Sequence, residues 1–275
     1  MSLRFDPYQI FKSSKTPAGL YGRQKWLDEE STPAWQADFE QTVRQLWREQ
    51  LSNGSWAHSE VETVQRLFGL HLTVRYETEQ IIKAVEWLIA KRCQAFKGYG
   101  KNMRFSQETL HGLPFTLGSS GYLITGATLF LATIFGYGED DRVLEAYNHL
   151  SDEISAKGGR WCGWSCSNNI LRAFVVHPIY SRSRATAMAV EYLARTQSPT
   201  GSWPRGVPFY QTVNALAHLD SDCAEAQVES AFQRLNETQQ SDGTWGRSQK
   251  EWNTFLVVHA LKNKGRICKY GYVVD

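Results

Sequence analysis

The chain has 275 residues, enough to bury a substantial core in one large or two small domains. A net charge of about +2, with 21% charged residues, gives no sign of a nucleic-acid footprint or of a strongly acidic partner. Five cysteines, odd in number and unevenly spaced (Cys93, Cys162, Cys166, Cys223, Cys268), argue against a secreted disulfide framework. Residues 1–21 show no apolar leader, so a cytoplasmic protein is expected.

Residues 1–33 lack periodicity and carry Pro7, Pro17, Gly19, Gly22 and Pro33. They read as an N-terminal arm with one short helix near 20–27. Its Phe5, Tyr8, Phe11, Tyr21 and Trp26 predict that the arm packs on the body, residues 34–275. In the body Phe39, Val43, Leu46, Trp47 and Leu51 recur at helical spacing, and Asn53-Gly54 ends the helix. Gln50-Leu-Ser-Asn-Gly54-Ser-Trp56 then introduces a phrase that returns as Gln197-Ser-Pro-Thr-Gly201-Ser-Trp203 and Gln239-Gln-Ser-Asp-Gly243-Thr-Trp245. Weaker copies follow Trp87-Leu88, with Arg92 in the Gln place, and at Gly158-Gly159-Arg160-Trp161. Trp161, Trp203 and Trp245 follow one another at intervals of 42 residues, a period typical of stacked helix pairs.

Each copy reads as an amphipathic helix, a glycine turn plugged by an aromatic ring, and a more apolar helix. The apolar partners are expected near 59–74, 119–135, 166–176, 208–219 and 251–261. The longest apolar stretch, residues 122–138, falls short of the ~20 residues a membrane-spanning helix needs. A buried helix is the better reading of it, and shallow contact with a membrane surface the lesser one. Helices that are apolar all round need cover on every side, whereas amphipathic ones face water. Alternating the two kinds around a ring predicts an all-α fold, an α/α toroid of five helix pairs, with a sixth completed by the arm or the tail. In each phrase the Gln amide is placed to bond backbone groups at a helix end while the Trp covers it. Ten Trp, twelve Tyr and thirteen Phe exceed what packing usually requires and suggest an aromatic-lined cavity.

The pattern completed by Tyr192-Leu193, Gln197 and Gly201-Ser-Trp203 resembles the Gln-Trp repeat of squalene-hopene and oxidosqualene cyclases. Phe209-Tyr210-Gln211-Thr212 is similar to the Phe-Tyr-His-Thr of protein prenyltransferase β subunits. The resemblance covers roughly residues 35–263 and implies the toroid of that superfamily; it does not fix an activity. Class II terpene cyclases protonate their substrate with an Asp-x-Asp-Asp motif, which this chain lacks. Its nearest string, Asp220-Ser-Asp222-Cys223, and the earlier Glu139-Asp140-Asp141 sit where an outer helix begins, and read as N-terminal caps. Prenyltransferases hold zinc with Asp, Cys and His. Here Cys166 stands in a suitable place, but Gln211 replaces the His and Trp164 stands where the Asp would be, so neither a metal nor another cofactor is expected.

The residue before the repeat Thr is Glu62, Gln211 or Asn253 in the clear copies, and Asn169 fills the matching slot after Trp161. On a ring these four polar groups would converge at one mouth of the lumen, beside Tyr210, Trp252, Trp164 and Cys166. First-turn polar residues also satisfy free backbone donors, and that alternative stays open. A carboxyl in an apolar cavity holds its proton at neutral pH, which makes Glu62 the candidate catalytic acid. The other seven are candidate substrate-binding residues, and aromatic faces would stabilise a carbocation. Arg205 and Arg247 follow their turns on the same side and could meet a diphosphate. His71, His218 and His259 lie late on apolar helices and read as buried, hydrogen-bonded side chains.

The expected function is that of an isoprenoid-binding enzyme resembling class II terpene cyclases, converting a polyprenyl substrate inside the lumen. The alternative is a partner-dependent binding module that kept the toroid and lost the catalytic motifs. The expected partner is an isoprenoid small molecule, not a nucleic acid; peripheral membrane contact and a protein partner stay open. Carbohydrate cleavage ranks last, because Glu60 and Glu62, two residues apart, cannot share a helix face.

Overall fold

Most helices begin on a cap that the sequence supplies. Thr16, Thr32, Ser59, Thr78, Asp140, Ser183 and Ser221 each accept a hydrogen bond from a backbone N–H two or three residues on. Such caps satisfy donors that the first helical turn leaves free. A computed structural model describes residues 3–93 and 122–267. It contains α1 (Pro17–Trp26), α2 (Pro33–Trp47), α3 (Glu60–Thr73), α4 (Glu79–Arg92), α5 (Tyr122–Ala132), α6 (Asp141–Ala156), α7 (Trp164–Val176), α8 (Arg184–Thr196), α9 (Phe209–Leu216), α10 (Asp222–Thr238) and α11 (Lys250–Asn263). Among the described residues there is no strand, only isolated bridges around Trp56. The start of the expected helix 119–135, the turn of the weak copy after Arg92, and Cys268 lie outside the described residues.

The odd-numbered helices form the inner ring. Each packs on the next in the order α1, α3, α5, α7, α9, α11, and α11 returns to α1. The even-numbered helices lie outside, each against at least one inner neighbour. The expected α/α toroid is therefore the observed fold, with α1 of the N-terminal arm taking the sixth inner place. Every described residue of α5 is buried, whereas α8 buries only Ala185, Thr186, Ala189, Val190 and Leu193. That contrast is the one the apolar and amphipathic patterns require.

The repeated phrase is the joint between neighbouring pairs. The Trp side chains donate from Nε1 to a carbonyl of the preceding outer helix or its end: Trp56 to Arg48 (3.1 Å), Trp161 to Leu150 (2.7 Å), Trp203 to Leu193 (3.1 Å) and Trp245 to Leu235 (2.7 Å). Each Gln amide donates to its own turn glycine carbonyl and across to the next unit. Gln50 reaches Gln80 O and Gln197 reaches Gln227 O, both at 2.9 Å. Among the described residues no outer helix follows the unit of Gln239, and its Nε2 donates to Phe5 O at 2.9 Å while its Oε1 accepts from the N–H groups of Arg4 and Phe5. The last joint thus closes on the arm. The turn glycines at 201 and 243 have φ of +74° and +81°, and a Cβ there would overlap the backbone of Ser230 and Asp6 respectively. Both the left-handed backbone and the close approach require glycine. In the weaker copy Arg92 replaces the Gln and takes both carboxylate oxygens of Glu60 at 2.5 Å.

Candidate functional site

The inner helices enclose a cavity of about 280 Å³, close to the lower end of the range in which small molecules are bound, about 300 Å³ and up. It lies towards the C-terminal ends of α3, α7 and α9, with α1, α5 and α11 completing the wall. Aromatic rings carry the apolar part. Trp252 stacks on Phe255 with centroids 5.1 Å apart, Phe68 meets Trp252 edge-on at 5.8 Å, and Phe130 lies 5.9 Å from Phe68. Tyr21, from the arm, meets Phe255 edge-on at 5.3 Å.

The polar wall consists of Arg75, Arg172, His71, His218, His259 and Asn214, with the Tyr21 hydroxyl and Trp252 indole as further donors. The Arg75 guanidinium lies 4.3 Å from the centre of the Tyr21 ring, and its Nη2 donates to Gln24 Oε1 at 2.5 Å, so the arm positions this charge. Arg172 lies 5.9 Å from the Phe130 ring centre. Asn214 Nδ2 is 3.3 Å from His259 Nδ1, and the His218 and His259 rings are 5.3 Å apart. Burial pushes His71 down to about 3, with Arg75, His259 and Arg172 adding to the effect. His218 falls to about 4 through burial and then Arg172 and Lys264, and His259 to about 4 through burial and His218. All three are neutral imidazoles at pH 7. Burial also lowers Arg172 to about 10, which leaves it cationic.

Outside this cavity lies a wider cleft of about 870 Å³ between the ends of α7 and α9 and the starts of α8 and α10. Val175, Val176 and His218 line both spaces and form the wall between them.

Of the eight candidate residues read from the sequence, Trp252 lines the cavity and the other seven do not. Glu62 is paired at 2.8 Å with Arg66, one helical turn on, its side chain is 35% exposed, and it is not among the residues lining the cavity. Asn253, buried, donates from Nδ2 to Ser248 O at 2.9 Å, a bond that ties the first turn of α11 to the loop before it. Asn169 and Cys166 are buried on α7. Trp164 leans on Tyr192 at 5.4 Å, in a crevice between α7 and α8. Tyr210 and Gln211 are half-buried at the start of α9, the Tyr210 ring 5.3 Å from Phe209. Glu62, Gln211 and Asn253 stand in the first turns of α3, α9 and α11, and Asn169 in the second turn of α7. The cavity is lined further along α3, α7 and α9, and on α11 from Trp252, the residue before Asn253. Arg205 and Arg247 are likewise absent from its wall. Asp140 and Ser221 cap α6 and α10, as the acidic strings around them suggested. Among the described residues no three His, Cys, Asp or Glu side chains gather as a metal-holding group, and no helix is long and apolar enough to cross a membrane.

The cavity residues that the candidate set lacks are the three histidines and Arg172. A signal was present. In the structure Ser167 takes the place of the repeat Thr in its copy, since its Oγ accepts from Trp161 N at 3.1 Å as Thr63 and Thr254 accept from Trp56 N and Trp245 N. The slot before it is therefore Cys166 and not Asn169. Arg172 and His259 then each lie five residues after Ser167 and Thr254, where Phe68 lies after Thr63. A charged side chain in the middle of Ile170-Leu171-Arg172-Ala173-Phe174 is out of keeping with a helix apolar all round.

The profile of the squalene-hopene cyclase C-terminal domain matches residues 165–264, the stretch from α7 to the end of α11. The structure of the type II terpene cyclase MstE from Scytonema aligns with a TM-score of 0.58 at 14% identity, over 91% of this chain and 88% of that one. The chain has the terpenoid cyclase toroid fold. A crystal structure of a protein from Actinoplanes shares this toroid at 19% identity and TM-score 0.58, over 93% and 90% of the two chains. So does an Asp-to-Asn variant of MstE in complex with its substrate geranylgeranyl dihydroxybenzoate, at 14% identity and TM-score 0.58, over 91% and 87%. Among curated proteins none matches the toroid sequence.

Proposed function

We propose that this toroid binds an isoprenoid in the cavity on its ring axis, as a protein of the type II terpene cyclase kind. The observation that carries the reading is the aromatic lining, with Phe68, Phe130, Trp252 and Phe255 from three inner helices facing one space. Rings so placed suit a branched, unsaturated chain by dispersion and by area removed from water. The fold likeness to a cyclase that holds a geranylgeranyl substrate in one structure and merosterolic acid A as product in another supports the same choice.

Conversion of the ligand is the second reading, and the same rings favour it, since aromatic faces stabilise a carbocation. A protonation-driven cyclisation needs an acid against the ligand. Among the described residues the cavity wall has no carboxyl group, and Glu62 is engaged with Arg66. Binding is therefore the primary proposal, and cyclase-like turnover depends on an acid supplied from beyond that wall.

The test is a thermal-shift series with isoprenoid alcohols of ten to twenty carbons, followed by product analysis of the mixtures. A rise in Tm that saturates with ligand supports the lumen reading. No shift with any chain length, for a protein that melts cooperatively, would sink it. A cyclised product would bring the enzyme reading to the front.

A further inference from the structure

The lumen is apolar, but its polar groups have one electrical sense. Arg75 and Arg172 both line this space, as does His71, and among the described residues lining it there is no Asp or Glu. Lys264, at the end of α11, adds to the positive field at His218. Two donors on this wall, Arg75 Nε and Trp252 Nε1, are buried and have no acceptor among the described residues. Folded proteins leave few buried donors unmatched, and groups of this kind gathered on a cavity wall point to a ligand that supplies the oxygens. A positive wall also opposes a bare carbocation, whereas an anion held between the two guanidiniums would offset it.

We propose that the isoprenoid held in the lumen is an acid, whose anionic oxygen head, a carboxylate or a diphosphate, faces Arg75 and Arg172 while its hydrocarbon chain lies on Phe68, Phe130 and Phe255. The inference rests on the reading of the lumen as an isoprenoid site and adds the charge of the ligand to it. Arg75 Nε gains an acceptor from the head, and Trp252 Nε1 takes a further oxygen of the same ligand. Guanidinium groups suit either head because their planar N–H forks match carboxylate and phosphate oxygens. Tyr21 and Gln24 hold Arg75 in place before the ligand arrives, which reduces the ordering cost of binding.

Isothermal titration of the full chain at pH 7 with farnesol, farnesoic acid and farnesyl diphosphate tests this directly. At least one of the two acids should bind about tenfold or more tightly than the alcohol. That preference, read as the ratio of acid to alcohol affinity within each protein, should shrink severalfold in Arg75→Met and in Arg172→Met. A preference for farnesoic acid alone or for the diphosphate alone supports the proposal and identifies the head. Farnesol binding as tightly as both acids, or a preference that survives in both variants, overturns the acidic head and leaves the isoprenoid reading standing. If none of the three binds, both readings fail.

Discussion

Trp245 shows at the scale of one residue what the repeated phrase does. Its ring is fully buried, its Nε1 donates to Leu235 O at 2.7 Å, and its backbone N–H donates to Thr254 Oγ1 at 3.3 Å, so one side chain joins outer helix, turn and inner helix. Trp245→Phe keeps most of the packing and strands one carbonyl, which should cost about 1 kcal/mol in urea unfolding. Trp245→Ala should cost roughly 3–5 kcal/mol, because a large cavity adds to the lost burial. Gly201→Ala should destabilise by more than about 1 kcal/mol, since the left-handed turn and the Ser230 backbone both resist a Cβ. An alanine variant as stable as the parent would contradict that reading of the turn. These joint residues were legible in the sequence because they repeat. The burial of the three histidines was legible too, but their gathering with Arg172 around one cavity was not, because each occurs in one copy only, and a cavity is made by the places where copies differ.

At the scale of elements, helix type and order follow from pattern, while ends are decided by neighbours. The inner helix expected over 208–219 stops at Leu216. The carbonyls beyond it find side-chain donors from the next unit, Asn263 to Ala217 O at 2.6 Å and Lys264 to Leu219 O at 2.8 Å. Such long-range capping leaves no local signal. The sequence leaves open whether the arm or the tail completes the ring. The arm's helix α1 packs between α3 and α11 and brings Tyr21 to the lumen. Gln239→Ala removes three hydrogen bonds to Arg4 and Phe5, and should speed amide exchange in residues 3–11 while the other joints keep their protection. Unchanged exchange there would mean that the arm is held by its aromatic packing alone. His218, between cavity and cleft, makes a separate prediction. His218→Trp should slow ligand association without altering the melting temperature by more than a few degrees, measured by stopped-flow quenching of intrinsic fluorescence. Equal association rates would show that ligand reaches the lumen by another path.

For the whole molecule, the buried histidines link stability to pH. His71, His218 and His259 have folded-state values of about 3, 4 and 4, below the ordinary value of 6.5. Between these limits the unfolded chain binds more protons than the folded one, so stability falls as pH drops from about 6.5 towards 4 and is insensitive to these groups above that range. The melting temperature should therefore decline steadily on acidification from pH 6.5 to pH 4, and His259→Asn should flatten the decline. An anionic ligand between Arg75 and Arg172 would work in the opposite direction by favouring the protonated histidines, so its affinity should rise as pH is lowered over the same range, as long as the head remains ionised.

The claim on which the rest depends is that the ring axis is the ligand site. Native mass spectrometry of the chain incubated with farnesyl diphosphate or farnesoic acid, set beside the lumen-filling variant Ala215→Phe, tests it most directly, because Ala215 lines the cavity and is buried on α9. A one-to-one complex of at least one acid with the parent chain, absent from a folded Ala215→Phe, is the predicted result. A complex of equal abundance in both proteins, or none with the parent chain, would contradict it.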